Sequence, residues 1–305
     1  MINNKINQFV ELNRSMGFKY RIQNCLLQNF ALFAEQQGDT YVRCETVLEW
    51  ANQAPSVAQK RNRLLTVRRF AVVMQAEDRR YEIPPADAFG RTTFKRRIPH
   101  IVSSNELNLL LIAAQKLKPL NTIRPKTYFT LFALLATTGL RISEALKLNV
   151  EDVTGDGLIV RSTKFRKDRL VPLHDSAQQA IQHYLILRLK FANDQQALFV
   201  SNNGRKLSYP TVNSIFLQLT RSIGLRKEPG DQGVHIHDLR HLFAVKSLEQ
   251  CENERDAIAQ HMIALSTYLG HAHISDTYWY LHATPLLMKK IALTQEDYYR
   301  RLTNE

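Results

Sequence analysis

The chain has 305 residues, of which 44% are hydrophobic and 23% charged, and this composition excludes a wholly disordered or fibrous protein. Its 41 Lys and Arg against 28 Asp and Glu give a net charge of +13, which favours a polyanionic partner, either nucleic acid or an anionic membrane. No apolar run approaches the roughly 18 residues of a membrane span, so nucleic acid is the expected partner and a membrane is not.

The cysteines and the N-terminus bear on the compartment. Cys25, Cys44 and Cys251 are odd in number and widely spaced, a pattern that favours neither a disulfide framework nor a zinc site. The first five residues lack the apolar core of a signal peptide. We therefore expect reduced thiols, no bound metal and a cytoplasmic location.

The first 75 residues or so predict helices and no strand. One helix is indicated by Ile22, Leu26, Phe30 and Phe33, and a second begins near Ser56. This second helix carries five basic residues and no acidic ones between positions 57 and 74: Lys60, Arg61, Arg63, Arg68 and Arg69. Such a face is either solvated or in contact with phosphates, and the missing acidic residues favour phosphate contact.

Helical periodicity is lost over residues 78–100, which contain three prolines and end in a basic run. This break predicts a basic linker between two domains. We place the first domain at residues 1–90, the linker at 91–100 and the second domain at 101–305.

The second domain is predicted to be mainly α with a small β-sheet. Helices are expected around residues 107–117, 128–135, 142–148, 176–191, 210–222 and 237–249. Two short β-rich runs, 158–160 and 170–173, flank a basic stretch and predict a hairpin. The acidic segment 249–260 is either a solvated loop or a contact between protomers.

Four short segments carry candidate chemistry. The first is T-G-L-R-I-S-E at 138–144, and the second is the basic hairpin, which ends in R-L-V-P-L at 169–173. The third is H-I-H-D-L-R-H at 235–241, where His237 and Arg240 are three apart and share a helix face. The fourth is L-G-H at 269–271, followed nine residues later by Tyr280.

In this order the segments resemble the tyrosine recombinase (phage integrase) superfamily. The resemblance covers residues 140–282 by motif and the whole chain by its Xer-like two-domain architecture. It implies a helical, SAM-like core-binding domain that contacts DNA, followed by a mixed α/β catalytic domain. It also implies six catalytic residues, matched by motif position: Arg141, Lys164, His237, Arg240, His271 and Tyr280.

The chemistry of this family suits those residue types. Two permanently charged guanidiniums, Arg141 and Arg240, would stabilise the negative charge that spreads over the phosphate oxygens. Tyr280 would attack the phosphate and form a 3′-phosphotyrosyl bond, while Lys164 would protonate the leaving 5′ oxygen. The two histidines would hydrogen-bond the phosphate and assist proton movement. Because the phosphotyrosyl bond retains the energy of the broken linkage, no cofactor, ATP or metal is expected.

Several assignments have competitors within the sequence. Tyr278 lies two residues from Tyr280, but the nine-residue step from His271 favours Tyr280. Lys167 competes with Lys164. The hairpin residues Arg166, Lys167 and Arg169 are further candidates for DNA phosphate contacts. Glu144 could orient Arg141 or form a surface salt bridge, and His241 is expected to have a structural role.

The resemblance implies a site-specific recombinase that acts on double-stranded DNA through a Holliday junction, in the cytoplasm and associated with the nucleoid. A homotetramer on two sites is expected, with an apolar C-terminal segment around 285–293 either docking on the neighbouring subunit or packing on its own. Accessory or sister recombinases are possible further partners. Integration, excision, inversion, resolution and transposition all stay open as the biological role. The alternatives are a catalytically idle DNA-binding relative and a type IB topoisomerase.

Overall fold

The computed structural model describes residues 2–90, 99–161, 168–192, 196–227, 233–250, 255–271 and 273–282, and only the backbone of residues 255–258, 279, 281 and 282. It divides the chain into two compact units, Met1–Arg96 and Arg97–Glu305. Most of the predicted linker, residues 91–98, lies outside the described residues. None of the helices in the described ranges has both the length and the apolar composition needed to cross a bilayer.

The first unit consists of four helices, α1 (Ile2–Ser15), α2 (Arg21–Gln36), α3 (Cys44–Asn52) and α4 (Val57–Glu77). Helix α4 begins at the predicted position because the Ser56 hydroxyl accepts a hydrogen bond from the Gln59 amide. The core is formed by fully buried side chains from all four helices, with Phe30, Trp50 and Phe70 at its centre. Tyr81, after α4, packs edge-on against Phe70, so residues that follow the last helix still belong to this unit.

The second unit contains eight helices and one small sheet within its described residues. The helices are α5 (Ser104–Gln115), α6 (Arg124–Thr138), α7 (Ile142–Ala145), α8 (Asp175–Leu189), α9 (Tyr209–Ser222), α10 (Asp238–Glu249), α11 (Arg255–Leu269) and α12 (Ser275–His282). Strands β1 (Val153–Thr154), β2 (Gly157–Val160) and β3 (Arg169–Val171) form an antiparallel sheet in the order β1-β2-β3. The expected fold class, mainly α with a small β-sheet, is confirmed.

Helix α6 is the centre of the second unit, packing on α5, α8 and α10. Its apolar residues leave almost no exposed surface, with Leu131 and Phe132 fully buried. A separate cluster joins α10, α11 and α12 through Val245, Leu265 and Tyr280. These two clusters meet at the ends of α6 and α10, where the candidate site lies.

Three sequence predictions need correction. The strand β1 was not predicted. The short helix expected at 142–148 ends at Ala145. The loop interpretation of segment 249–260 is wrong from Arg255 onwards, because that part begins helix α11. Buried Met262, Leu265 and Leu269 recur at helical spacing there and pack against α10.

Candidate active site

Arg240 is the most deeply buried charged side chain of the site. It lies in the first turn of α10 and is 2% exposed. Its Nη1 donates to the Gly139 carbonyl at 2.7 Å and its Nη2 to the Leu269 carbonyl at 2.8 Å. Burial first, and then the charge of Arg141, lowers the pKa of Arg240 to about 10, so it is protonated at neutral pH. Because these two partners are neutral, they leave its charge uncancelled.

Gly139 makes this arrangement possible. It ends α6 with φ of 60°, a left-handed conformation that favours glycine. A Cβ at this position would come within 2.5 Å of the Phe243 ring. The turn places the Gly139 carbonyl against Arg240, and α7 begins at Ile142, directly after Arg141.

Arg141, Glu144 and Arg169 form a three-residue network beside Arg240. Arg141 Nη1 donates to Glu144 Oε1 at 2.9 Å, and Arg141 Nη2 donates to the Gly270 carbonyl at 3.2 Å. Arg169, the first residue of β3, donates to the same carboxylate at 2.8 and 3.2 Å. Glu144 is 7% exposed, which excludes the surface salt bridge considered for it.

The carboxyl of Glu144 is ionised in this network. Burial alone would raise its pKa, but hydrogen bonds and positive charge from Arg169 and then Arg141 outweigh burial, and its pKa is lowered. A carboxylate between two guanidiniums leaves one net positive charge, to which Arg240 adds a second. The site is therefore a positively charged cluster suited to a phosphate.

Two histidines flank the arginines. Burial, followed by the charges of Arg240 and Arg141, lowers the pKa of His237 and of His271 to about 4, although His237 keeps an exposed surface. Both imidazoles are therefore neutral at pH 7 and can each donate and accept a hydrogen bond. The His271 ring is held by Thr277, whose hydroxyl lies 2.7 Å from Nδ1 and which is fully buried.

Tyr280 lies with these groups, and Tyr278 does not. Tyr280 is 3% exposed, and its ring stacks on His271 with centroids 6.2 Å apart. It is also close enough to Arg240 for its charge to affect the pKa of that guanidinium. Tyr278 is 48% exposed. Of the two candidate nucleophiles, only Tyr280 is in contact with another predicted site residue among the described contacts.

The predicted hairpin lysine is not among the described residues. Strands β2 and β3 pair as expected, with Val160 opposite Arg169. The residues between them, 162–167, lie outside the described part of the chain, and with them Lys164, Arg166 and Lys167. The structure therefore brings together Arg141, His237, Arg240, His271 and Tyr280 of the six predicted catalytic residues.

Most of the basic side chains of helix α4, in the first unit, already bind other groups of the protein. Three of its arginines bind backbone carbonyls: Arg61 that of Gly90, Arg63 that of Trp50 and Arg68 that of Pro84. Lys60 donates to the Asn52 side chain. Arg69, by contrast, is exposed.

Sequence reasoning missed three contacts within the candidate site. Thr277 fixes His271, Arg169 binds Glu144, and the His241 ring lies between His237 and Tyr280 at centroid distances of 4.7 and 5.3 Å. The position of His241, one helical turn after His237, was a usable signal. The pairing of Arg169 with Glu144, 25 positions apart, had no signal in the spacing. Within the described ranges, no group of three or more His, Cys, Asp or Glu side chains could hold a metal ion.

Comparison with known proteins shows the family of the chain. A family model described as the phage integrase family matches residues 101–286. A putative integrase/recombinase, y4rB of Sinorhizobium fredii (strain NBRC 101917 / NGR234), is 38% identical over 93% of this chain and 94% of its own length. Tyrosine recombinase XerD of Oceanobacillus iheyensis is 34% identical over 64% of this chain and 61% of its own length.

Solved structures show the same fold. The Tn1549 transposon integrase in complex with transposon right end DNA has a TM-score of 0.65 at 18% identity, covering 97% of this chain and 99% of that one. XerH recombinase bound to its palindromic difH substrate has a TM-score of 0.64 at 18% identity, covering 91% of this chain and 79% of that one.

Proposed function

Because the chain belongs to the phage integrase family of tyrosine recombinases, we propose that Arg141, Arg240 and Tyr280 form the core of its DNA-cleaving site. The activity of the chain is site-specific recombination, in which DNA strands are cleaved and rejoined. The observation that supports the residue assignment is the buried, carbonyl-bound Arg240 beside Arg141 and Tyr280, a positively charged cluster that contains a tyrosine.

The two arginines bind the scissile phosphate. A guanidinium has five N–H donors, so the contacts of Arg240 with two carbonyls leave donors for phosphate oxygens. Negative charge on the non-bridging oxygens grows towards the transition state, and fixed guanidiniums stabilise it without reorganisation. Arg141 is oriented for this by Glu144 and the Gly270 carbonyl.

Tyr280 is the nucleophile. A bond forms between its hydroxyl oxygen and phosphorus, and the bond between phosphorus and the 5′ oxygen breaks. The tyrosine proton passes to a neutral imidazole, and we assign this role to His271, whose ring stacks on that of Tyr280. Lys164 donates the proton that the leaving 5′ oxygen takes up. Rejoining reverses these steps with a 5′ hydroxyl as nucleophile.

The wider assembly is part of the proposal. DNA is the substrate, and relatives in structure include recombinases bound to DNA and a lambda integrase tetramer bound to a Holliday junction. We assign residues 1–90 to DNA binding, 91–100 to a linker and 101–305 to catalysis, acting as a homotetramer in the cytoplasm with or without accessory recombinases. Of the basic helix, exposed Arg69 is the best-placed phosphate contact.

An exchange assay tests this function. The purified chain is incubated without ATP and with a metal chelator, together with two labelled duplexes that carry the DNA flanking its gene. We expect hybrid products that join the two labels, and protein covalently bound to DNA. Supercoil relaxation by a monomer without exchange would instead indicate a topoisomerase. Tight binding with neither product would indicate an idle DNA-binding relative.

A further inference from the structure

Arg169 has no role in the cleavage chemistry described above, yet it occupies the centre of the site. We propose that Arg169 is a positioning residue, which fixes the Glu144 carboxylate and through it holds Arg141 ready for the scissile phosphate. This inference rests on the proposed function, because it assigns Arg169 a role in the same reaction.

Arg169 binds the Glu144 carboxylate in a bidentate manner. Its Nη2 donates to Glu144 Oε2 at 2.8 Å and its Nη1 to Oε1 at 3.2 Å, a two-pronged pair. The same two oxygens accept from Arg141, Oε1 from its Nη1 at 2.9 Å and Oε2 from its backbone amide at 3.0 Å. Each carboxylate oxygen therefore binds both arginines, and a shift of Arg169 moves the group that orients Arg141.

Burial separates this role from a surface contact with DNA. The side chains of Arg169 and Glu144 are 14% and 8% exposed. The pair is thus largely removed from solvent, where charge-assisted hydrogen bonds are strong and a lost partner is costly. The Arg169 guanidinium is therefore held as a partner of Glu144 and does not lie free on the surface.

The balance of charge gives Arg169 a second effect. Glu144 alone would cancel the charge of Arg141 and weaken its attraction for phosphate. With Arg169 present, two positive charges share one negative charge, and the network keeps a net charge of +1. Arg169 thus allows the Glu144 carboxylate to hold Arg141 while the site keeps a net positive charge.

Arg169 also connects the sheet to the turn that carries His271. A Cβ added to Gly270 would lie 3.0 Å from Arg169 Nη1 and 3.3 Å from Cζ, so the guanidinium packs directly on that glycine. The Gly270 carbonyl accepts from Arg141 Nη2. The start of β3, the Arg141 turn and the His271 turn therefore meet at one guanidinium.

The test separates positioning from folding and from DNA binding. Wild-type protein first maps the scissile phosphate on nicked fragments of the DNA that flanks its gene. Synthetic nicked duplexes then carry either that phosphate or a methylphosphonate, in which a methyl group replaces one non-bridging oxygen and removes its charge. Covalent adduct formation is timed in single turnover at saturating protein, and DNA affinity is measured separately.

The variants are Arg169→Gln, Arg169→Lys, Glu144→Gln and the Arg169→Gln/Glu144→Gln double. The matched control is Arg161→Gln, which breaks a 2.7 Å pair between Arg161, at the end of β2, and Asp152. Arg161 directly follows β2 and does not contact Glu144 in the described contacts.

We expect Arg169→Gln to slow adduct formation by about 10- to 100-fold, the usual cost of removing the partner that orients a functional group. DNA affinity should change by less than about threefold, since a residue that acts through Glu144 releases no phosphate contact. The loss of rate caused by Arg169→Gln should be smaller on one methylphosphonate diastereomer. That substrate carries less negative charge for the Arg141 guanidinium to stabilise. The rate of Arg169→Lys should lie between those of wild type and Arg169→Gln, because lysine keeps the charge but lacks the planar guanidinium that binds both carboxylate oxygens.

The double variant should be no slower than Glu144→Gln alone, because both changes break one pathway. Arg161→Gln should stay close to wild type on both substrates. Equal losses on phosphate and methylphosphonate, additive effects in the double variant, or a loss of affinity with an unchanged cleavage rate would each overturn the proposal. If wild type itself forms no adduct, the proposed function fails, and not the role of Arg169 within it.

Discussion

Glu144→Gln should destabilise the second unit far more than an equivalent change elsewhere. Glu144 is a buried carboxylate that accepts four hydrogen bonds, two from each of two arginines. An amide of the same shape removes the negative charge and turns an N–H group towards a guanidinium. Removing one partner of a buried ion pair costs about 3–5 kcal/mol. At about 2–4 °C per kcal/mol for a unit of this size, the midpoint of thermal unfolding should fall by about 6–20 °C.

Glu106→Gln is the matched control. Glu106 occupies the same third helical position in a capping box, at the start of α5, where Ser103 supplies the cap. Its side chain is 24% exposed and pairs with His100, without an arginine cluster. Because glutamine serves equally in a capping box, this change should cost less than about 1 kcal/mol.

Scanning calorimetry at pH 7 checks the difference, because it can resolve separate transitions for the two units. Only the transition of the second unit should move in Glu144→Gln. A midpoint within about 2 °C of that of Glu106→Gln would refute the reasoning, since it would mean that the buried charge contributes less than about 1 kcal/mol.

Three further predictions concern the histidines, the basic helix and Thr277. The pKa values of His237 and His271 are lowered to about 4, so their neutral forms stabilise the fold above pH 6.5, and this stability is lost as the pH falls towards 4. In the His237→Gln/His271→Gln double variant, the curve of unfolding midpoint against pH should therefore be flatter. An unchanged slope of that curve would contradict the assignment. Arg69→Ala should weaken DNA binding and reduce its salt dependence by about one ion, without changing stability. Arg63→Ala loses its contact with the ring and carbonyl of Trp50, so it should instead lower the stability of the first unit. The reverse pattern in binding and melting assays would be inconsistent with the structure. Thr277→Val should slow adduct formation while Thr277→Ser retains it, because only the hydroxyl holds His271; equal rates in single turnover would exclude that role.

Local signals in the sequence predicted most of the helices. Ser56 and Ser103 cap helices in the structure by accepting amide hydrogen bonds, and Gly139 ends α6 in the left-handed conformation. Each of these effects is decided within a few residues of the chain. Such boundaries can be found without knowing what packs against the helix.

The errors lie where pairing or packing with another element decides the outcome. Strand β1 has two residues and exists because it pairs with β2, so no alternation marks it. In α11 the charges before Arg255 concealed the apolar spacing of Met262, Leu265 and Leu269. That helix is stabilised by its packing on α10, which the sequence does not state.

The candidate site divides in the same way. The identities and order of the proposed catalytic residues follow from motifs, because each motif is a short local pattern. The network around them does not, since Glu144 of α7 binds Arg169 of β3, which lies 25 positions away. The composition of α4 predicted a phosphate-binding face, but not that Arg61 and Arg68 bind carbonyls of the segment that follows the helix.

Covalent trapping tests the central claim most directly. Wild type, Tyr280→Phe and Tyr278→Phe are incubated, without metal or ATP, with nicked fragments of the DNA flanking the gene. The products are separated on a denaturing gel. Tyr280 lies against His271, while Tyr278 is 48% exposed. We therefore predict a protein–DNA adduct with wild type and with Tyr278→Phe, and none with Tyr280→Phe. An adduct that persists in Tyr280→Phe and disappears in Tyr278→Phe would contradict the assignment of the nucleophile.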